Sequence, residues 1–284
     1  MASDLPTVAQ QARNKIERDV LKFTNPLRRK LKAGKSTFGF FVTLEDATVT
    51  EVAADAGVDW VCVDMEHGSL DFRELTRHLQ ASRGTDLTVL VRVPTTTVDY
   101  VKRALDLGAH GVVLPLIDNA EELGRGFMHA RYPPIGRRGL SNARVNHHSL
   151  SLDQYLEVAD LETMVIPIVE TAEASRNIDE ILAVDGLEAV FFGPADLSMS
   201  RGHRGMWEGP GVGEDILRMN EKAKARNIAT AIMCLDANDL NVRIQQGFGV
   251  LGIGSDVTFI LKRIQDLLAP HKGASLELSW LKNR

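Results

Sequence analysis

The sequence predicts an α/β protein folded as a (β/α)8 TIM barrel, and three observations predict it. Strand-like and helix-like stretches alternate eight times along the chain. Most strand-like stretches are near-continuous apolar runs, the pattern of strands covered on both faces in parallel sheets. The first strand is not followed by the glycine-rich phosphate loop of a dinucleotide fold. Eight such units in about 250 residues favour a closed barrel over a doubly wound sheet.

The elements follow in order. Residues 1–36 read as an N-terminal helical extension, with one helix from about Thr7 to Phe23 and a basic one from Pro26 to Lys35. The break at Asn25-Pro26 opens the second, which is expected to cover the bottom of the barrel. The barrel domain is read over 37–270 and a tail over 271–284. Its first strand is 38–44 (FGFFVTL), followed by an amphipathic helix over 46–56 that stops at Gly57. The second strand, 60–66 (WVCVDME), leads to a helix over 71–83, with Asp71 as its N-cap and Gly84 beyond its end. The third strand, 88–93 (TVLVRV), precedes a helix over 97–107 closed by Gly108. The fourth, 111–117 (GVVLPLI), precedes a helix over 119–130 capped by Asn119. A long connection over 131–160 then carries Arg131, Arg137, Arg138, Arg144, His147 and His148, with a short helix near 153–159. It reads as a structural or subunit-contact segment, with a flap as the alternative. The fifth to eighth strands are 163–169 (TMVIPIV), 189–193 (AVFFG), 229–234 (ATAIMC) and 249–254 (GVLGIG). Their helices are expected over 172–184, 214–226, 237–246 and 256–268.

Composition narrows the function classes. Of the 284 residues, 44% are apolar and 25% charged, as in soluble globular proteins able to bury a full core. The net charge of -5 gives no reason to expect nucleic acid or an anionic membrane as partner. No apolar run reaches the roughly 18 residues of a membrane span. The two cysteines, Cys62 and Cys234, sit inside strand-like runs, so a disulfide framework is not expected and a reducing compartment is. There is no apolar signal-peptide core, and Asp4, Glu17 and Asp19 argue against a mitochondrial presequence. A cytoplasmic location is expected.

Barrel chemistry gathers at the C-terminal ends of the strands, so those tips are the candidate site. The fifth strand ends in Glu170. The sixth breaks at Gly193-Pro194 and delivers Asp196. Two carboxylates from successive strand tips suit an oxygen-rich divalent metal site, although each could instead cap the helix that follows. The second tip runs Asp64-Met65-Glu66-His67-Gly68, offering His67 as a general acid or base. The third carries Arg92, which could stabilise a developing enolate or sit in a buried ion pair with Asp64 or Glu66. Backbone N–H groups around Ala195 and Asp196 could hold a substrate carboxylate. A structural zinc site is excluded for want of a Cys/His cluster with ligand spacing. A Schiff-base mechanism has no lysine at any of the eight tips.

The motifs resemble those of the HpcH/HpaI aldolase/citrate lyase family, and most closely its metal-dependent hydroxy-ketoacid aldolases and macrophomate synthase. The matching pieces are Val63-Asp64-Met65-Glu66-His67, Val91-Arg92-Val93-Pro94, Asp106-Leu107-Gly108, Leu114-Pro115, Arg131-Tyr132-Pro133-Pro134 with Gly136, Arg138 and Gly139, Val169-Glu170-Thr171, and Phe192 to Ser198. They stand in family order across roughly residues 26–268. The resemblance implies a barrel whose C-terminal helix is exchanged between subunits of a homo-oligomer, dimer-based and in some cases a hexamer. It implies Mg2+, Mn2+ or Co2+ on Glu170 and Asp196. His67 would be the proton acceptor, Arg92 the stabilising cation and Asp106 the acid that raises the basicity of the histidine, with Asp64 counted in the catalytic set. Ala195, Asp196, Arg92 and the residue at position 168 would contact substrate. Relatives often carry Gln at this last position, and this chain has Ile168, an apolar wall in place of an amide.

The activity implied is a class II pyruvate aldolase. It would cleave a 4-hydroxy-2-oxo acid reversibly to pyruvate and an aldehyde through an enolate held on the metal. An oxaloacetate decarboxylase or a macrophomate synthase-like enzyme using the same enolate is the alternative. A CoA-thioester lyase lacks an obvious basic pocket for the nucleotide. From a different class, a catalytically silent barrel scaffold would not need His67, Arg92, Glu170 and Asp196 together.

Overall fold

The computed structural model describes residues 7, 23–207 and 209–272. The helix expected from about Thr7 to Phe23 lies, apart from its two end residues, outside the described residues, as does the tail beyond residue 272. The described chain begins with helix α1 (Pro26–Lys32), whose N-cap Asn25 accepts the Arg28 N–H. Arg28 then pairs with Glu162 and Glu188, which fastens α1 to the barrel.

Eight parallel strands close in sequence order: β1 (Thr37–Val42), β2 (Trp60–Asp64), β3 (Thr88–Arg92), β4 (Gly111–Leu114), β5 (Met164–Val169), β6 (Ala189–Phe192), β7 (Ala229–Met233) and β8 (Val250–Ser255). Outside them lie α2 (Thr48–Asp55), α3 (Phe72–Ala81), α4 (Val98–Leu107), α5 (Ala120–Ala130), α6 (Leu152–Glu162), α7 (Ala172–Arg176), α8 (Ile178–Ile181), α9 (Pro194–Ser200), α10 (Val212–Lys224), α11 (Ala237–Gln245) and α12 (Asp256–Lys272). The expected caps hold. Asp71 forms a full capping box with Glu74, and Asn119 accepts the Glu122 N–H.

Strand alternation splits the apolar residues into two cores. Phe41, Trp60, Cys62, Leu90, Val113, Ile166, Ile168, Phe191 and Ala231 turn into the barrel. Phe40, Val61, Val63, Val91, Val112, Val169, Phe192 and Ile232 turn out under the helices. Trp60 fills the barrel interior because position 39 is glycine: a methyl group there would lie 2.2 Å from the indole. The same inward parity applies to Asp64 and Arg92, which are register partners on β2 and β3.

The structure departs from the expectation in three places. The helix read over 172–184 is two short helices, interrupted at Asn177, whose amide donates to the Asp118 carbonyl. The break read at Gly193-Pro194 opens directly into the helix α9, with Pro194 at its first position, where a missing N–H costs nothing. The connection 131–160 contains a longer helix than expected and is fastened down. Arg138, 1% exposed, pairs with Asp106 and lies 4.7 Å above the Tyr132 ring. Arg144 donates to the Leu107 and Leu79 carbonyls at the ends of α4 and α3. This supports the structural reading of that segment.

Helix α12 starts on its own barrel, with Phe259 edge-on to Phe40 at 5.2 Å. Further along, Ile260, Ile264, Leu267 and Leu268 stay exposed. Among the described residues no helix is long and apolar enough to cross a membrane.

Candidate active site

At the tip of β2, Asp64 is 2% exposed and anchors its surroundings. Its Oδ1 accepts the N–H groups of Glu66 and His67 at 3.1 and 3.2 Å, which shapes the turn that carries His67. The same oxygen accepts Arg92 Nε at 2.9 Å, and Oδ2 accepts Arg92 Nη2 at 2.5 Å. This bidentate pair fixes the guanidinium plane. Burial alone would lower the Arg92 pKa, but the bonds and charge of Asp64 outweigh it and raise it. The buried ion pair read as one possibility for Arg92 is therefore present, and it holds the guanidinium in one orientation.

Glu66 lies beside them, its Oε2 3.3 Å from Arg92 Nε and 3.8 Å from His67 Nε2. Burial raises the Glu66 carboxyl above its usual range, against the pull of Arg92 and His67. The His67 side chain is 66% exposed and stands on the open rim.

Glu170 follows β5 and is 5% exposed. Thr171 caps α7 by accepting the Ala174 N–H, so Glu170 is not used as a cap. Its Oε1 instead accepts the Leu116 N–H at 2.8 Å. Leu116 takes a left-handed backbone (φ 52°) to aim that group, a strained conformation for a leucine. Position 193 must be glycine, since a methyl group there would lie 2.7 Å from Glu170 Cβ and 2.9 Å from its Oε2. Burial pushes the Glu170 carboxyl up to about 7, and the charges of Asp196 and Glu66 add to the push while Leu116 and Arg92 oppose it.

Arg92, Ile168, Glu170, Ala195 and Asp196 all line one cavity of about 200 Å³ at the C-terminal mouth of the barrel. No lysine is among its described lining residues. Phe41, Phe191, Trp207 and Met233 also line it, and the sequence reading gave none of them a part in the site. A continuous apolar run hides which of its members face inward, and nothing local marks Trp207.

Asp106 is not brought to His67 within the chain. It sits at the last turn of α4, beside the start of β4, and pairs there with Arg138 at 2.8 Å. His67 stands beyond the end of β2, at the opposite end of the barrel.

Among the described residues no group of three or more His, Cys, Asp or Glu side chains could hold a metal. The protein donors facing the cavity are two carboxylates, which fits a hard dication that keeps positions for water and substrate. Glu170 is buried with the charges of Asp196 and Glu66 near enough to raise its carboxyl, a charge imbalance that such an ion would offset.

Comparison with known proteins places the chain and its fold. The chain is 30% identical over 249 residues to a hydroxypyruvate/pyruvate aldolase of Roseobacter denitrificans, covering 87% of this chain and 97% of that one. It is 33% identical over 246 residues to a 4-hydroxy-2-oxovalerate aldolase of Rhodococcus jostii, covering 86% and 95%. A crystal structure of an HpcH/HpaI aldolase/citrate lyase family protein from Burkholderia cenocepacia superposes with a TM-score of 0.83 at 30% identity, covering 87% and 99%. Macrophomate synthase superposes with a TM-score of 0.76 at 25% identity, covering 87% and 88%. The profile of the HpcH/HpaI aldolase/citrate lyase family matches residues 37–262, and the chain belongs to that family.

Proposed function

We propose that this protein is a divalent-metal-dependent aldolase, a carbon–carbon lyase that reversibly cleaves a 4-hydroxy-2-oxo acid to pyruvate or a close analogue and an aldehyde. The observation that carries the reading is the convergence of Glu170, Asp196 and Arg92 on one small cavity at the catalytic end of the barrel. The aldolase names of the relatives support it.

Glu170 and Asp196 would hold the ion, with Mg2+, Mn2+ and Co2+ all suited to oxygen donors. When bound, it supplies Lewis-acid polarisation of the substrate carboxylate and 2-oxo group and acidifies water. Every other step belongs to the chain. The first turn of α9 offers the Ala195 and Asp196 N–H groups, which have no intrahelical acceptor there, to the substrate carboxylate. His67 takes the proton of the C4 hydroxyl through a water at the rim. As the C3–C4 bond breaks, negative charge grows on the 2-oxo oxygen. Arg92, already fixed by Asp64, stabilises it without reorganising. Only Nε and Nη2 are engaged with Asp64, and a guanidinium has further N–H donors to offer.

The test is pyruvate release from a panel of 4-hydroxy-2-oxo acids and oxaloacetate, with and without chelator. Chelator should abolish turnover, and added Mn2+ should restore it. Full turnover after exhaustive chelation would overturn the metal reading. A kcat/KM for oxaloacetate above that of every aldol would move the assignment to a carboxy-lyase.

The active unit is a homo-oligomer on the same proposal. The exposed apolar stripe of α12 supports it, since single monomers rarely leave such a continuous patch bare. The family resemblance gives Asp106 the task of raising the basicity of the histidine. Lying at the far end of its own barrel, Asp106 can do so only for a histidine of another subunit. The double substitution Ile260→Glu, Ile264→Glu is expected to lower the sedimentation coefficient to that of a smaller species. An unchanged coefficient would remove α12 from the interface.

A further inference from the structure

We propose that the floor of the cavity selects the group carried on C3 of the substrate. It would take 2-oxo acids whose C3 bears hydrogen or alkyl, such as pyruvate and 2-oxobutanoate, over hydroxypyruvate, whose C3 bears a hydroxyl. This rests on the aldolase reading above and concerns the substrate class of the same site.

The cavity has two chemically distinct sides. Arg92, Glu170 and Asp196 stand at the strand tips. Below them Phe41, Ile168, Phe191 and Met233 project inward from β1, β5, β6 and β7, and Trp207 closes the wall from the α9–α10 connection. Phe41 and Phe191 meet edge to face at 5.9 Å, and the Arg92 guanidinium lies 4.8 Å from the Phe41 ring, so the charged side rests directly on the apolar one. Met233 is seated by a glycine: a methyl group at Gly252 would lie 2.2 Å from its Sδ. Of these side chains Phe41, Ile168, Phe191 and Met233 carry no N–H, O–H or charge, while Trp207 brings an indole N–H to the wall rather than to the floor. The space of about 200 Å³ is below the roughly 300–1,000 Å³ of pockets for drug-sized ligands, so it fits a short carbon chain.

The chemistry sets which part of the substrate meets that floor. The proton leaves the C4 hydroxyl toward His67, which is on the open rim, so C4 and the chain beyond it face outward. The carboxylate and 2-oxo oxygens belong to the charged side. The remaining substituent of C3 is then left toward the aromatic and aliphatic floor. A methyl group there gains contact. A hydroxyl turned onto Phe41, Ile168, Phe191 and Met233 gives up its hydrogen bonds to water and meets no donor or oxygen acceptor on those four side chains. Apolar pockets discriminate against an added hydroxyl by up to about a hundredfold, which bounds the expected preference.

Exchange of C3 protons for solvent deuterium tests this without any aldehyde. The C3–H bond breaks, its proton goes to a base and then to solvent, and a deuteron returns to the same carbon. Proton NMR of the full-length Mg2+-loaded protein in D2O is run with pyruvate, 2-oxobutanoate and hydroxypyruvate separately. Exchange is expected to be about 10- to 100-fold more efficient for pyruvate than for hydroxypyruvate in kcat/KM. Ile168→Gln, which places an amide on the floor, should shift that ratio toward hydroxypyruvate by about tenfold. Met233→Gln carries the same expectation should the first variant not fold. Equal efficiency for the two donors, or ratios untouched by either amide, would overturn the floor assignment while leaving the aldolase reading in place. Absence of exchange with every donor would sink the aldolase reading, and this inference with it.

Discussion

Glu170→Gln is expected to cost at least about a thousandfold in turnover and, in chelator near pH 8, to make the protein more stable than wild type. The first effect follows from the proposed role of Glu170 as an anionic metal ligand, whose loss would remove several kcal/mol of transition-state stabilisation. The second follows from the raised carboxyl. Glu170 moves from an ordinary 4.5 in the unfolded chain to about 7 in the folded one. Between those values the unfolded state releases a proton that the folded state keeps. Stability without metal therefore falls as pH rises from about 4.5 to about 7 and stays low above that. The difference is worth about 3 kcal/mol. Gln keeps the oxygen that accepts the Leu116 N–H and carries no charge. Melting curves in chelator should fall with pH for wild type and stay flatter for the variant, and Mn2+ should raise Tm in wild type alone. A wild-type profile that is flat from pH 4.5 to 8 would refute the argument.

Asp64→Ala is expected to destabilise the fold by about 3 kcal/mol and to remove most activity. Breaking one partner of a buried ion pair typically costs about 3–5 kcal/mol because the other charge is stranded. Arg92 would keep Glu66 at 3.3 Å, which places the cost at the lower end. The N–H groups of Glu66 and His67 would also lose their acceptor, so the histidine turn would loosen. Asp64→Asn retains one acceptor oxygen and should fall between the two. Urea titration should show a lower midpoint with an unchanged slope. A loss below about 1 kcal/mol would mean that Arg92 is held by something other than Asp64.

Much of the fold was legible because strands buried on both faces leave long apolar runs, and because Asp71, Asn119 and Gly108 punctuate the helices between them. The same property concealed the floor of the cavity. Phe40 and Phe41, or Phe191 and Phe192, are adjacent and alike in sequence, and only closure of the sheet turns one of each pair inward. The tips were readable as chemistry, and Arg92, Glu170 and Asp196 do share a cavity. Leu116 was not, since its part is a backbone N–H aimed by a left-handed residue that carries no sequence mark. Asn177 interrupts a helix through a bond to the Asp118 carbonyl, 59 residues earlier, which local propensity cannot register. Asp106 matched a motif whose meaning depends on which end of the barrel it occupies.

The inward parity of Phe41, Ile168, Phe191 and Met233 separates two heritable properties of this protein. Their side chains decide what fits below, while their backbones belong to the wall that carries the rim. A lineage can therefore exchange one interior residue at a time and acquire a new diet while the machinery that breaks the bond is passed on intact.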